Sequence, residues 1–192
     1  WRVPHFKWMK DGGHYVRLQT LPLLSIPEAA AVLCRNNAPL FRLAFALLSA
    51  GRGVTVAGSE IGPRLIRLLQ KIGDERDTSD ALCAKIDAWM NKQLEKANAP
   101  ATIYDQAECM KVFATYGKNL AQAVAYAEHL FKQQGPIKLS TGHKAKGLEW
   151  DTVFHLDPWL CGDSEQDKNL KYVITTRAKQ TLYEIDTVDV RF

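Results

Sequence analysis

The stretch "LSTGHKAKGLEWDTVFHLD", Leu139–Asp157, decides how this chain is read. Ile137–Thr141 is a short apolar run with strand character, and Thr152–Leu156 is a second. Between them lie a histidine, two lysines and a glutamate within the seven residues His143–Glu149. The pattern reads as strand, tight glycine-containing turn, strand. The first strand is apolar enough to be buried, so the residues of the turn are expected at its C-terminal end. In open α/β sheets that edge is where ligands bind. Lys146-Gly147 reads as a place where a small residue lets the backbone approach a ligand closely. A lysine with a glutamate suits a nucleotide: the ammonium meets phosphate oxygens, and the carboxylate accepts hydrogen bonds from ribose hydroxyls. The plainer alternative is a solvated, charged turn.

On the N-terminal side, His14–Leu21 alternates Val16, Leu18 and Thr20 as a strand does, and Ala30–Cys34 is long enough for a buried strand. Asn36 and Asn37 are candidate caps for a helix whose stripe is Leu40, Leu43, Ala44, Leu47 and Leu48, closed by Gly51. "GVTVAG", Gly53–Gly58, is another strand, and this β-α-β order predicts a parallel sheet. From Pro63 to Gln134 the periodicity is helical. Leu65, Leu68, Leu69 and Ile72 share one face. Thr78 or Ser79 caps a second helix through Leu94, and Asp105 with Glu108 resembles a capping box for a third. A fourth runs through Leu120, Val124, Ala127 and Phe131 to Gly135-Pro136. A last helix, Glu165–Ala178, precedes a strand at Thr181–Asp186. The fold class is α/β: a parallel sheet flanked by helices and interrupted by a small helical insert.

The 192 residues carry a net charge of +4, which permits a polyanionic partner without requiring one. Their hydrophobic content of 46% is that of an ordinary globular protein. No apolar run approaches the ~20 residues that span a bilayer, so no membrane partner is expected. Cys34, Cys83, Cys109 and Cys161 are far apart, with no CxxC pair, and read as thiols in a reducing cytoplasm. No metal site is expected, and no acidic cluster suggests two-metal nuclease chemistry. His5, His14, His129 and His155 are scattered, with no carboxylate at a catalytic spacing. Most of Trp1, Trp8, Trp89 and Trp159 read as core or capping aromatics, and Lys92, Lys96, Lys111 and Lys118 as solvated helix faces.

"NLKYVITTRAK", Asn169–Lys179, delivers Arg177 near the end of its helix. Alone, such an arginine complements the helix dipole. Beside "TGHKAKGLEWDTVF" it carries more: the two segments together resemble the fifth and sixth motifs of UvrD/Rep-type superfamily 1 DNA helicases, most closely phage and prophage members. "AVLCRNNAPLFRLAFALLSAGRGVTVAG", Ala31–Gly58, is similar to the segment that family carries between its fourth and fifth motifs.

The resemblance implies the second of two RecA-like domains, with ATP in the cleft between them. Residues 1–60 and 136–192 would form that domain, and 61–135 a reduced accessory region. No GxxxxGK[ST] loop and no Asp-Glu pair ending an apolar strand is present, and the chain starts at Trp1 without a methionine. It therefore reads as part of a longer helicase, inactive alone, with the Mg²⁺ ligands on an N-terminal RecA-like domain. By the resemblance, Arg177 is the arginine finger on the γ-phosphate. Lys146, Gly147 and Glu149 lie toward ATP, with Glu149 near the ribose. Arg35, Asn37, Thr141 and His143 lie toward single-stranded DNA, and Tyr172 packs. The competing reading is a non-catalytic basic α/β module that binds nucleic acid or protein. The triplet Lys146, Glu149 and Arg177 favours the helicase, because a simple binding module has no use for it.

Overall fold

The structure is a computed structural model that describes residues 12–21, 23–58, 60–96 and 98–186. The expectations about Trp1, His5 and Trp8 lie outside them. The chain divides into two compact units, Trp1–Ala57 with Gln134–Phe192, and Gly58–Gln133.

The first unit is a six-stranded sheet in the order β1-β6-β5-β2-β4-β3, with every pair parallel. Its strands are β1 (His14–Arg17), β2 (Ala31–Cys34), β3 (Val54–Val56), β4 (Ile137–Thr141), β5 (Trp150–Leu156) and β6 (Ala178–Ile185). Helix α1 (Asn37–Ser49) joins β2 to β3 and α6 (Glu165–Thr175) joins β5 to β6. These two connections step across the sheet in opposite directions, so right-handed crossovers put the helices on opposite faces. Covered on both faces, β2 is wholly buried, as its unbroken apolar run requires. This is an α/β, RecA-like parallel sheet with an all-helical insert.

The opening stretch proves not to be a tight turn between neighbours. β4 and β5 lie on either side of β2, and Thr141, Cys34 and Leu156 are level in the sheet. Because β5 runs parallel to β4, residues 142–149 must return from the C-terminal edge of the sheet to its N-terminal edge. Only Gly142 and its immediate successors stand where β4 ends. Glu149 stands where β5 begins. The descent is packed beneath α6. Ala145 is fully buried in one cluster with Ala31, Leu33, Val153, Leu170, Ile174 and Leu182. A Cβ on Gly142 would come within 2.6 Å of Ile174.

The second unit holds α2 (Ile61–Ile72), α3 (Ser79–Leu94), α4 (Pro100–Tyr116) and α5 (Leu120–Lys132). Leu65, Leu69, Leu82, Ile86, Met110 and Phe113 are its fully buried core. Phe113 meets Phe131 edge-to-face at 6.2 Å. Thr78 caps α3 by accepting from the Ala81 amide.

Several boundaries differ from the sequence reading. β1 is shorter than His14–Leu21. α4 begins at Pro100, with proline in its first turn, and Asp105–Glu108 lies inside the helix. Proline is well placed there because its missing N–H is one that would have no helical partner. α6 ends at Thr175, short of Ala178. There Thr175 and Thr176 hydroxyls donate to the Tyr172 carbonyl, at 3.0 and 2.9 Å. The Trp150 amide then bonds the Arg177 carbonyl at 3.0 Å, so the backbone leaves the helix to enter the β6 ladder. Asn36 occupies the N-cap of α1 without capping it; its side-chain oxygen accepts instead from Arg35 at 3.2 Å.

Candidate functional site

The residues singled out by sequence fall at the two opposite edges of the sheet. At the N-terminal edge Arg177 directly precedes β6, and Lys146 to Glu149 lead into β5. Arg177 is half-buried and held at three points. Its Nε donates to the Val173 carbonyl at 3.0 Å, Nη1 to the Leu148 carbonyl at 3.1 Å, and Nη2 to the Thr176 hydroxyl at 3.0 Å. Three of the five guanidinium N–H groups are thereby used, which leaves one on each terminal nitrogen as a fork. The bond to Leu148 ties the arginine to the loop that carries Lys146, Gly147 and Glu149, 29 residues earlier. Those three are exposed. Lys146 and Glu149 make no side-chain ion pair among the described residues. Gly147 has φ +85, a conformation that favours glycine, and a Cβ added there would meet no protein atom within 4 Å.

At the C-terminal edge are Arg35, Asn37, Thr141 and His143. Arg35 is committed to an internal partner: its Nε donates to Asp167 Oδ1 on α6 at 2.6 Å. Ser164, the N-cap of α6, donates to the other oxygen of Asp167 at 2.7 Å. These bonds, with Ser164 the larger cause and Arg35 next, hold the Asp167 carboxyl below its ordinary value, and the charge of His143 adds to them. His143 is exposed and Thr141 is buried. Asn37 opens α1. The sequence-predicted residues thus form two groups, separated by the height of the sheet, and not one.

Sequence reasoning missed the most buried polar pair. His155 on β5 faces Glu184 on β6, with Nδ1 and Oε1 3.5 Å apart, and the Tyr15 hydroxyl of β1 donates to Glu184 at 2.8 Å. His155 therefore does have a carboxylate partner, supplied by strand register and invisible in linear spacing. Other expectations also shift. Trp159 is 58% exposed, and Lys111 is no free solvated lysine, since it pairs with Asp87 at 2.6 Å and Glu108 at 3.2 Å. None of the four cysteines is in a disulfide. Among the described residues no helix is long and apolar enough to cross a membrane. Among them, too, no three His, Cys, Asp or Glu side chains gather to hold a metal ion.

A parallel sheet ending in this arginine-bearing helix, with the charged return loop beside it, is the architecture the sequence resemblance implied. Residues 136–183 match the family model of the UvrD-like helicase C-terminal domain. This segment is similar to a UvrD-like helicase C-terminal domain. The match covers β4, the return loop, β5, α6 and most of β6, so both charged segments of the N-terminal edge lie within the UvrD-like region. No curated protein matches the chain.

Proposed function

We propose that this chain is the second RecA-like domain of an ATP-dependent DNA helicase, and that it supplies the half of the ATP site that acts across the domain cleft. In this reading residues 1–60 and 136–192 form the RecA-like domain, and 61–135 a reduced accessory region. The observation that carries it is the tether from Arg177 to the Leu148 carbonyl, which gathers a fixed guanidinium fork, Lys146 and Glu149 at one edge of the sheet.

The chemistry suits that edge. A planar cation already held by three hydrogen bonds loses little freedom when its remaining N–H groups meet phosphate oxygens, and it stabilises charge that develops during phosphoryl transfer. Lys146 would meet the triphosphate, with Gly147 providing the left-handed turn that follows it. Glu149 would accept from ribose hydroxyls. These residues fit ATP; they do not provide a Mg²⁺ site, whose protein ligands would come from the first RecA-like domain. Arg35, Asn37, Thr141 and His143, at the other edge, would follow single-stranded DNA through contacts that do not depend on base sequence.

The test is single-turnover ATP hydrolysis with nucleotide-binding titrations in the two-domain protein. Arg177→Ala is expected to abolish most hydrolysis while nucleotide still binds. Near-normal hydrolysis by the folded variant would refute the assignment.

A further inference from the structure

The helical unit contains a groove of about 750 Å³. One wall is α2, which lines it with Arg64, Arg67 and Lys71. Spacings of three and four residues put these cations on one helical face, over about 10 Å of axis. The opposite side brings Trp89 from α3 and Gln106 from α4. We infer that this groove binds a single strand of nucleic acid, with the three cations on successive phosphates and the Trp89 indole stacked on a base.

A basic stripe on a helix is usually no more than a solvated face, and three observations distinguish this one. Among the described residues, no acidic side chain lines the groove. Arg64, Arg67 and Lys71 are exposed and make no ion pair among the described residues, the Arg67 Nε being bonded only to the Pro63 carbonyl of its own helix, at 3.2 Å. Gln106 is 8% exposed, yet its amide forms no hydrogen bond among the described residues, although it lines the groove. Its amide atoms are not sealed from solvent and are open to a ligand's polar atoms. The cations select a polyanion. Trp89, half-buried at the wall, selects an unpaired base, because stacking on an indole needs a base face that a duplex does not offer.

This inference rests on the nucleic-acid reading above but on different residues, so the two can fail separately. The experiment is a salt titration of fluorescein-labelled dT15 binding by anisotropy, with the 192-residue chain. Variants are the triple Arg64→Ala, Arg67→Ala, Lys71→Ala; Trp89→Leu; and, as the sheet-edge control, Arg35→Ala with His143→Ala. Circular dichroism checks that each is folded. The triple variant should flatten the log-log salt slope by about 2, at ~0.7 for each lost phosphate contact on a single strand. Trp89→Leu should weaken binding several-fold with the slope unchanged. A triple variant with the parent's slope overturns the groove, as does a parent that prefers a 15-base-pair duplex or binds no dT15 at 50 mM salt. None of these outcomes touches the ATP-site reading, which is scored by hydrolysis.

Discussion

His155 on β5 and Glu184 on β6 stand directly opposite one another across a parallel strand pair, both sealed from solvent, with 3.5 Å between Nδ1 and Oε1. Neither ring nitrogen of His155 has a hydrogen-bond partner, so the contact is a close approach and not a formed hydrogen bond. The facing imidazole, followed by the Tyr15 hydroxyl and the charge of Lys171, holds the Glu184 carboxyl down to about 2 from an ordinary 4.5. A carboxyl lowered in the folded state stabilises fully above its unfolded value, and that contribution disappears as pH falls from about 4.5 toward about 2. It is worth at most about 3 kcal/mol, and less given the long contact. Glu184→Gln should therefore lower stability at pH 7 and flatten its dependence between pH 5 and 2. Urea midpoints of parent and variant across that range are the measurement; identical pH profiles would show that the pair contributes nothing.

Two glycines should respond to alanine very differently. A Cβ on Gly135 would come within 2.0 Å of the Gly53 carbonyl carbon and 2.1 Å of the Val54 nitrogen. That is backbone against backbone at the start of β3 and β4, with nothing flexible to yield, and Gly135→Ala should cost at least about 3 kcal/mol. Gly147→Ala has open space and meets only the left-handed conformation, for about 1–2 kcal/mol. Thermal unfolding of the two variants should rank them in that order.

Arg35 cannot serve DNA freely while Asp167 holds it at 2.6 Å. Asp167→Asn should release the guanidinium and remove a negative neighbour of His143. Single-stranded DNA affinity should then rise several-fold at low salt, and the gain should fade as salt screens it. Stability should fall by roughly 1 kcal/mol, since the first turn of α6 loses one of its two anionic residues, Glu165 and Asp167. Unchanged or weaker binding at 50 mM salt would remove Arg35 from the DNA surface.

Arg177 has a structural task as well as its proposed chemical one. Its bond to the Leu148 carbonyl holds the return loop against the start of β6. In the two-domain protein Arg177→Ala should lower kcat by about 10³-fold or more, with nucleotide affinity changed far less. Arg177→Lys should rescue poorly, because a flexible point charge does not rebuild the fork. Both should also loosen residues 142–149, measured as faster amide exchange of Ala145 and Leu148. Glu149→Gln should differ, weakening nucleotide binding while leaving the loop's exchange unaltered.

The sequence by itself determined the kinds of element and their order. Unbroken apolar runs such as Ala31–Cys34 can be satisfied only by a strand covered on both faces, and the stripes of α2 and α5 only by a helix with one buried side. The charged character of 143–149 and the position of Arg177 were equally plain, because they are matters of residue type. What only the tertiary structure decided is who faces whom. Nothing in Leu139–Asp157 reveals that β2 inserts between β4 and β5, yet that insertion turns the apparent tight turn into a return across the sheet. It carries Glu149 to the edge opposite from Thr141. The pairing of His155 with Glu184, the capture of Arg35 by Asp167 and the tether of Arg177 to Leu148 have the same origin. Each joins residues far apart in the chain, and parallel pairing with its register arises from the burial of whole faces at once, which no local spacing encodes.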